Sequence, residues 1–299
     1  IVLNKIPLLE DHLPEYSGSE NTIILLIRLP RVLLGLIAGI SLAVSGTSMQ
    51  GIFKNPMASP FILGVSSGAA LGAAVGFHLE LSMYWLPIIS FIFAMFTVFL
   101  VFGLGRFRGK TDIPTLLLAG LALNFLMSAL YSYLLFVSSP ENRMSILSFT
   151  WGSLNGTNWN EIIIVFPLMI VGFIAVFSFS KELNVIQAGE ETALQLGVEV
   201  ERTKIIQLVA GSFLAAAVVA FTGVIGFVGL IIPHAARLVV GPEHKKLIPT
   251  SALMGGIFLI VCDSISRISG EIWVGIITGI FGAPFFIYLL VRKRGDNGW

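Results

Sequence analysis

Long apolar blocks separated by short polar stretches predict nine membrane spans, at 22–49, 58–77, 84–105, 113–137, 160–180, 203–222, 226–240, 247–268 and 272–292. About 20 residues at 1.5 Å rise cross a hydrocarbon core of roughly 30 Å. The interval from Gly226 is short for that and predicts a half-helix. In the first block, Val32 to Gly51 holds only small and apolar residues apart from Gln50. Gly35, Gly39, Ser41, Ala43, Ser45 and Gly46 thin one side of it. In lipid, where burial brings no hydrophobic gain, such residues let a second helix come close.

Composition agrees with this pattern: 56% of residues are hydrophobic and 12% charged, against about 25% charged in a soluble domain. The chain is therefore an all-α polytopic membrane protein. Its basic residues are scattered, with no run longer than Arg292-Lys293-Arg294, so nothing points to nucleic acid. A single cysteine, Cys262, rules out an internal disulfide and a cysteine-rich metal site.

Basic residues also set orientation. With the C-terminal Arg292-Lys293-Arg294 in the cytoplasm, alternation places Lys54, Arg106, Arg108, Lys110, Lys181, Arg202, Lys204, Arg237, Lys245 and Lys246 on the same side. Lys5, Arg28, Arg31, Arg143 and Arg267 are left outside, as the positive-inside rule demands. Ile1 then lies outside with no apolar h-region, so one helix is expected upstream of this sequence; a cleaved signal peptide is the other explanation. An internal echo favours ten spans: Gly46, Pro56 and Gly64 recur at one constant offset as Gly223, Pro233 and Gly241. Arg31 opens its helix from outside and Lys204 opens its counterpart from inside, so the copies have inverted topology. Chance recurrence in a glycine-rich chain is the competing explanation.

Four polar features remain. Leu183 to Lys204 is the longest polar interval between spans and predicts two short helices around a glycine bend. Ala193, Leu194, Leu196 and Val198 stand there among Glu190, Glu191, Glu199 and Glu201, an amphipathic pattern that wants a partner surface. Its acidic residues argue against anionic lipid. Arg28 and Arg31, one turn apart, and Arg267 face the outer side, either snorkelling or offering charge-assisted hydrogen bonds to a partner's carboxylates. Asp263 is also placed to pair with Arg267. His234 suits a structural hydrogen bond, with metal or proton chemistry as the other option. Asn124, an amide in an apolar span, serves either a pathway or interhelical gluing.

Catalytic signatures are lacking. Gly103 to Thr111 imitates a phosphate loop, but Leu104 stands where glycine is required, and the segment follows a membrane span instead of a strand. No HExxH, nucleophile elbow or paired-carboxylate arrangement occurs. Neither enzymatic activity, nor a cofactor, nor a bound metal is expected. The sequon Asn155-Gly156-Thr157 is of a kind that is frequent by chance.

The segments RLPR (Arg28–Arg31), SGTSMQGIFKNPMASPFILGVSSGA (Ser45–Ala69), LLLAG (Leu116–Gly120), GEETALQLGV (Gly189–Val198), GVIGFVGLIIPHAARL (Gly223–Leu238) and GAPFFIYLL (Gly282–Leu290) together resemble the FecCD/BtuC-type permease subunits of type II ABC importers. That family carries cobalamin, haem and ferric siderophores. The resemblance covers nearly the whole chain. It implies a ten-helix permease fold with inverted repeats, the first helix apparently absent here. One transmembrane domain would fill 1–299, with a first repeat at about 22–155, a second at about 203–292 and a cytoplasmic coupling segment at 183–202. It further implies a homodimer in a prokaryotic cytoplasmic membrane, with two cytoplasmic ABC ATPases, one extracytoplasmic binding protein and surrounding lipid.

Carried over by position, Gly189, Glu190, Glu191, Ala193, Leu196 and Gly197 would enter the ATPase cleft, and Arg28, Arg31 and Arg267 would dock the binding protein. Asp112, Ile113, Pro114 and Thr115 match the cytoplasmic gate, with Asn124 further along the pathway. Some members carry Thr-Ser where this chain has Ile113-Pro114. The family's Glu-x-Pro-x-Gly reads Glu271-Ile272-Trp273-Val274-Gly275, so the missing proline leaves the last helix without its usual angular constraint. The implied function is ATP-driven import of an iron complex or cobalamin through a chemically inert lining. The alternative is an ion-coupled secondary transporter, which also uses inverted repeats but requires ionisable residues at mid-membrane.

Overall fold

The computed structural model describes residues 23–107 and 110–295. Lys5, Arg108, the side chains of Lys110 and Arg292–Arg294, and the helix expected upstream lie outside the described residues. A π-helical turn, Ile23–Arg28, runs directly into α1 (Leu29–Phe53), which ends on Lys54 in the left-handed conformation. A 3₁₀ turn, Pro60–Leu63, precedes α2 (Val65–His78). Next come α3 (Trp85–Gly105), a short antiparallel pair β1 (Arg106–Phe107) and β2 (Lys110–Thr111), and α4 (Ile113–Val137). They are followed by α5 (Pro140–Trp151), α6 (Trp159–Ser178), α7 (Ser180–Ala188), α8 (Glu190–Gln195) and α9 (Val200–Thr222). The short α10 (Val228–Val240), α11 (His244–Ile268) and α12 (Val274–Gly295) complete the chain.

Six of these helices are long and apolar enough to cross a membrane, those containing α1, α3, α4, α6, α9 and α11. The expected spans at 84–105, 113–137 and 160–180 are recovered almost to the residue, and 226–240 is the half-helix its length implied. Two expectations need correction. The span at 58–77 is interrupted: Asn55 begins a turn in which its side chain accepts from the Met57 amide (2.9 Å), and a regular helix starts only after Gly64 at φ 84°. Helix α5 was not expected, because Pro140-Glu-Asn-Arg is polar; Ser139 caps it, accepting from the Asn142 amide at 3.3 Å.

Helix α1 is the hub of the bundle, and its small residues serve three neighbours, not the single side expected. A Cβ on Gly39 would overlap the Gly255 carbonyl of α11, and one on Gly46 would overlap the Gly229 carbonyl of α10. On the α9 side, Ser45 and Ser48 donate to the carbonyls of Gly211 and Gln207. As numbers rise along α1 they fall along α9 and α11, so both cross it antiparallel. Backbones this close leave no room for a side chain, and overpacking costs about 1–3 kcal/mol or more. Gly46→Val should therefore lower the thermal midpoint of the detergent-purified protein, whereas Gly103→Ala, whose new Cβ meets nothing within 4 Å, should not.

The element order repeats. Long α1, a break, short α2, then α3 and α4 are matched by long α9, a break, short α10, then α11 and α12. The residue echo that prompted this reading does not survive. Gly46 lies within α1 while Gly223 follows α9, Pro56 sits in a turn while Pro233 is inside α10, and Gly64 opens a helix where Gly241 closes one.

Candidate functional site: two helix-end platforms and a central break

Contacts sort the helix ends into two groups. At one end, Leu183 of α7 and His244 of α11 press against Gly51 of α1, and the Thr111 amide donates to Glu201 of α9 at 2.8 Å. At the other, Arg31 of α1 meets Asp263 of α11, and Trp159 Nε1 donates to the Leu25 carbonyl at 3.0 Å. The expected inner residues Lys54, Lys181, Lys204 and Lys245 fall in the first group, and Arg28, Arg31 and Arg267 in the second.

The platform at the end expected inside is built from α7 and α8. Gly189 at φ 148° and Gly197 at φ 78° bend the chain on either side of α8, conformations that side-chain-bearing residues rarely adopt. Ala193 points inward, fully buried with Ile186 and Val200. Glu190 also turns inward and pairs with the buried Lys204 ammonium at 2.8 Å, which anchors α8 to α9. Asn184 anchors α7 to α11: its Oδ1 accepts from the His244 amide (2.9 Å) and lies 2.7 Å from His244 Nδ1. Of the expected coupling residues, Ala193 and Glu190 thus build the platform, whereas Glu191 and Leu196 face outward. Leu194 joins them: both leucines are about two-thirds exposed, a costly arrangement in water with no internal purpose.

Beside this platform, Asp112 caps α4. Its carboxylate accepts from the Thr115 amide at 3.0 Å and from the Thr115 hydroxyl, and these two bonds hold its pKa below the ordinary carboxylate value. Because the folded value is the lower one, the capping is present at neutral pH and is lost as pH falls through it. Pro114 occupies the first turn, where its missing N–H costs nothing. The expected gate residues 112–115 therefore form a rigid helix start.

Midway along the bundle, the two broken segments face each other. Ser59, Pro60 and Phe61 from one, and Gly226, Phe227 and Gly229 from the other, line a largely apolar cavity of about 230 Å³ with Leu42 and Leu230. Phe227 adopts φ 68° at the start of α10, and its ring packs against Gly282 of α12, where an added Cβ would come within 2.5 Å. Sequence reasoning missed Phe227, since a left-handed phenylalanine carries no sequence mark. Asn124 proves to be interhelical glue and a cavity wall at once. Its Nδ2 donates to the carbonyls of Phe61 (3.3 Å) and Ile62 (3.2 Å), and its Oδ1 accepts from Ser67 (2.6 Å). It also lines an uncharged cavity of about 270 Å³ with Ser66, Ser67, Ser128, Tyr131 and Thr150, and with apolar Ala70 and Val224. Asn124→Leu strands these groups, so the protein should be destabilised by about 1–3 kcal/mol, read from its thermal midpoint; Asn124→Gln should lose less.

The opposite end, expected outside, holds an open pocket of about 450 Å³, lined by Ile23, Ile27, Arg28, Arg31, Ser264, Arg267, Ile268 and Glu271. The three expected arginines do meet there, but they are not equivalent. Arg31 is buried and already engaged: its Nε contacts both Asp263 oxygens (2.9 and 3.1 Å), and its Nη1 donates to Glu271 at 2.8 Å. It cannot serve as the free docking charge expected of it. Arg28 is exposed, and Arg267 lies 3.4 Å from Asp263, the i,i+4 pairing foreseen as an alternative. The approach to α12 is fixed without proline: Trp273 packs on Trp151 with ring centroids 4.4 Å apart, and Gly275 lets the backbone meet the Trp151 carbonyl.

Comparison with known proteins agrees with this arrangement. The chain is 46% identical over 266 residues to the cobalamin import system permease BtuC of Halobacterium salinarum, covering 88% of this chain and 72% of that protein. It is 38% identical over 277 residues to the hemin transport system permease HmuU of Yersinia pestis, covering 90% and 83% respectively. A solved structure described as an inward-facing conformation of a metal-chelate type ABC transporter superposes with a TM-score of 0.86 at 34% identity, covering 94% of this chain and 91% of that one. Residues 5–292 match the FecCD transport family. With six apolar spans among the described residues and this family match, the chain is a multi-pass membrane permease and belongs to the FecCD transport family.

Proposed function

We propose that this chain is the membrane subunit of an ATP-driven, binding-protein-dependent importer for an iron complex, such as a ferric siderophore or haem, or for cobalamin. The observation that carries this reading is the inner platform. Exposed Leu194 stands on a six-residue helix, and exposed Leu196 directly follows it; an ion pair fastens that helix to α9, while the adjoining α7 is fastened to α11. Such a platform transmits force only if something pushes on it. A cytoplasmic ATPase dimer that closes on ATP would supply that push, and α9 and α11 would carry it into the bundle. The permease itself holds no nucleotide; hydrolysis belongs to the partner.

Orientation follows from the basic residues, with the platform in the cytoplasm of a prokaryote and the arginine pocket outside. Arg28 and Arg267 would receive carboxylates of a soluble binding protein, with an on-rate that falls as salt rises. Exposed apolar side chains on α3, α4 and α6, among them Phe96, Phe125 and Ile163, would meet lipid or a second copy of the chain. Relatives named for cobalamin and hemin support a bulky chelate as cargo. An uncharged wall of serines, Asn124 and Tyr131 suits passage without tight binding, because a pathway that held its cargo strongly would slow release.

The ionisable groups required by ion coupling are poorly placed. Asp263 is held by Arg31 at the outer end of the bundle, away from the central break. The ligand is tested by uptake into proteoliposomes containing the permease, its ATPase and its binding protein, offered labelled cobalamin, haem, ferric siderophores and molybdate in turn. Accumulation of an iron complex or cobalamin is expected; accumulation of the oxyanion alone would overturn this assignment.

A further inference from the structure

The outer pocket contains a carboxylate that belongs to the permease itself. Arg31 holds two acids in very different ways. Asp263 is almost fully buried and chelated through both oxygens. Glu271 makes one 2.8 Å contact, with its side chain half exposed at the pocket rim. Its backbone is left-handed at φ 63°, directly after Gly270 at φ 87°, a conformation that costs a non-glycine residue energy. Glu271 also lies three residues before α12, whose first turns pack against Trp151 and whose Gly282 receives Phe227.

We infer that Arg31 is a positioning residue and that Glu271 is an exchangeable internal occupant of the arginine pocket, displaced when a partner's carboxylate enters, so that docking is relayed to α12. The inference rests on the docking reading given above. Its basis is asymmetry. The buried arm, Arg31 to Asp263, costs too much to open, because it would separate two charges out of water and leave Asp263 only its 3.4 Å contact with Arg267. The exposed arm, Arg31 to Glu271, competes on nearly equal terms with any other carboxylate, since water already reaches it. An acid drawn in by Arg28 and Arg267 therefore has one weak contact to replace. The released Glu271 frees the strained turn that sets where α12 begins.

The test uses the full chain in phosphatidylcholine nanodiscs, with spin labels introduced by Ile24→Cys and Ile276→Cys, both exposed positions that do not line the pocket. In the otherwise unaltered chain one distance population is expected, and poly-L-glutamate in low-salt buffer should add a second. Glu271→Gln, which keeps the shape and loses the charge, should show that second population without any additive. Poly-L-lysine should add nothing. Binding of poly-L-glutamate with the same single population in every sample would overturn the inference and leave the docking reading standing. No binding, with the second population present in Glu271→Gln, would overturn the docking reading, and with it the exchange, and would leave Glu271 only as a clamp on α12. Arg31→Lys, which keeps the charge but cannot span both acids, should resemble Glu271→Gln; identity with the unaltered chain would overturn the positioning role.

Discussion

Replacing Leu196 by Asp is expected to abolish association with the ATPase while leaving the permease folded. Leu196 is about two-thirds exposed and belongs to neither buried apolar cluster, so the folded chain loses little by the change. At a partner's surface the same side chain would be desolvated. Burying a leucine contributes about 1.5–3 kcal/mol, and burying an unpaired carboxylate costs several kcal/mol more. Together these shift affinity by three orders of magnitude or more, enough to lose co-purification. Leu194→Asp should act in the same direction. Ala193→Asp is the contrasting case: this position is fully buried between α7 and α9, so the variant should lose the platform itself and show a lower thermal midpoint. Wild-type recovery of the ATPase with Leu196→Asp would remove the coupling role from this face.

The second large effect concerns the outer clamp. Asp263→Ala leaves the buried Arg31 guanidinium with only the half-exposed Glu271, and breaking a buried pair by removing one partner costs about 3–5 kcal/mol. A drop of several degrees in thermal midpoint is expected, along with lower membrane yield. The double variant Arg31→Met with Asp263→Leu should recover much of that loss, because neither charge is then left buried alone. If Asp263→Ala proved as stable as the unaltered chain, the pair would contribute nothing and Arg31 would return to the set of free docking charges.

These two sites show where sequence reasoning reached and where it stopped. Span α4 is legible to the residue, since Asp112, Pro114 and Thr115 announce the start of a largely apolar helix of 25 residues. The apolar residues set between acids after Gly189 mark out the platform segment, and its two glycines prove to sit at the bends. The fate of Arg31 was not legible. A spacing of three residues does bring Arg28 and Arg31 to one pocket, but Asp263, 232 positions away, decides which arginine is free, and local pattern carries no trace of so distant a partner. The division of labour within α8 escaped for the same reason: Glu190 looks like its neighbour Glu191 until Lys204 claims it. Helix α5 was missed because its polarity hides it from a hydropathy scan, although Ser139-Pro140-Glu141 is a recognisable helix start. The break before α10 was visible in Gly223 and Gly226, whereas the left-handed Phe227 that completes it was not.

The energy source of transport tests the central reading most directly. Proteoliposomes containing the permease with its ATPase and binding protein should accumulate the chelate only when ATP is supplied on the ATPase side. That uptake should vanish with Leu196→Asp and persist when proton and sodium gradients are collapsed. Uptake driven by an imposed ion gradient without ATP, and unchanged by Leu196→Asp, would contradict it.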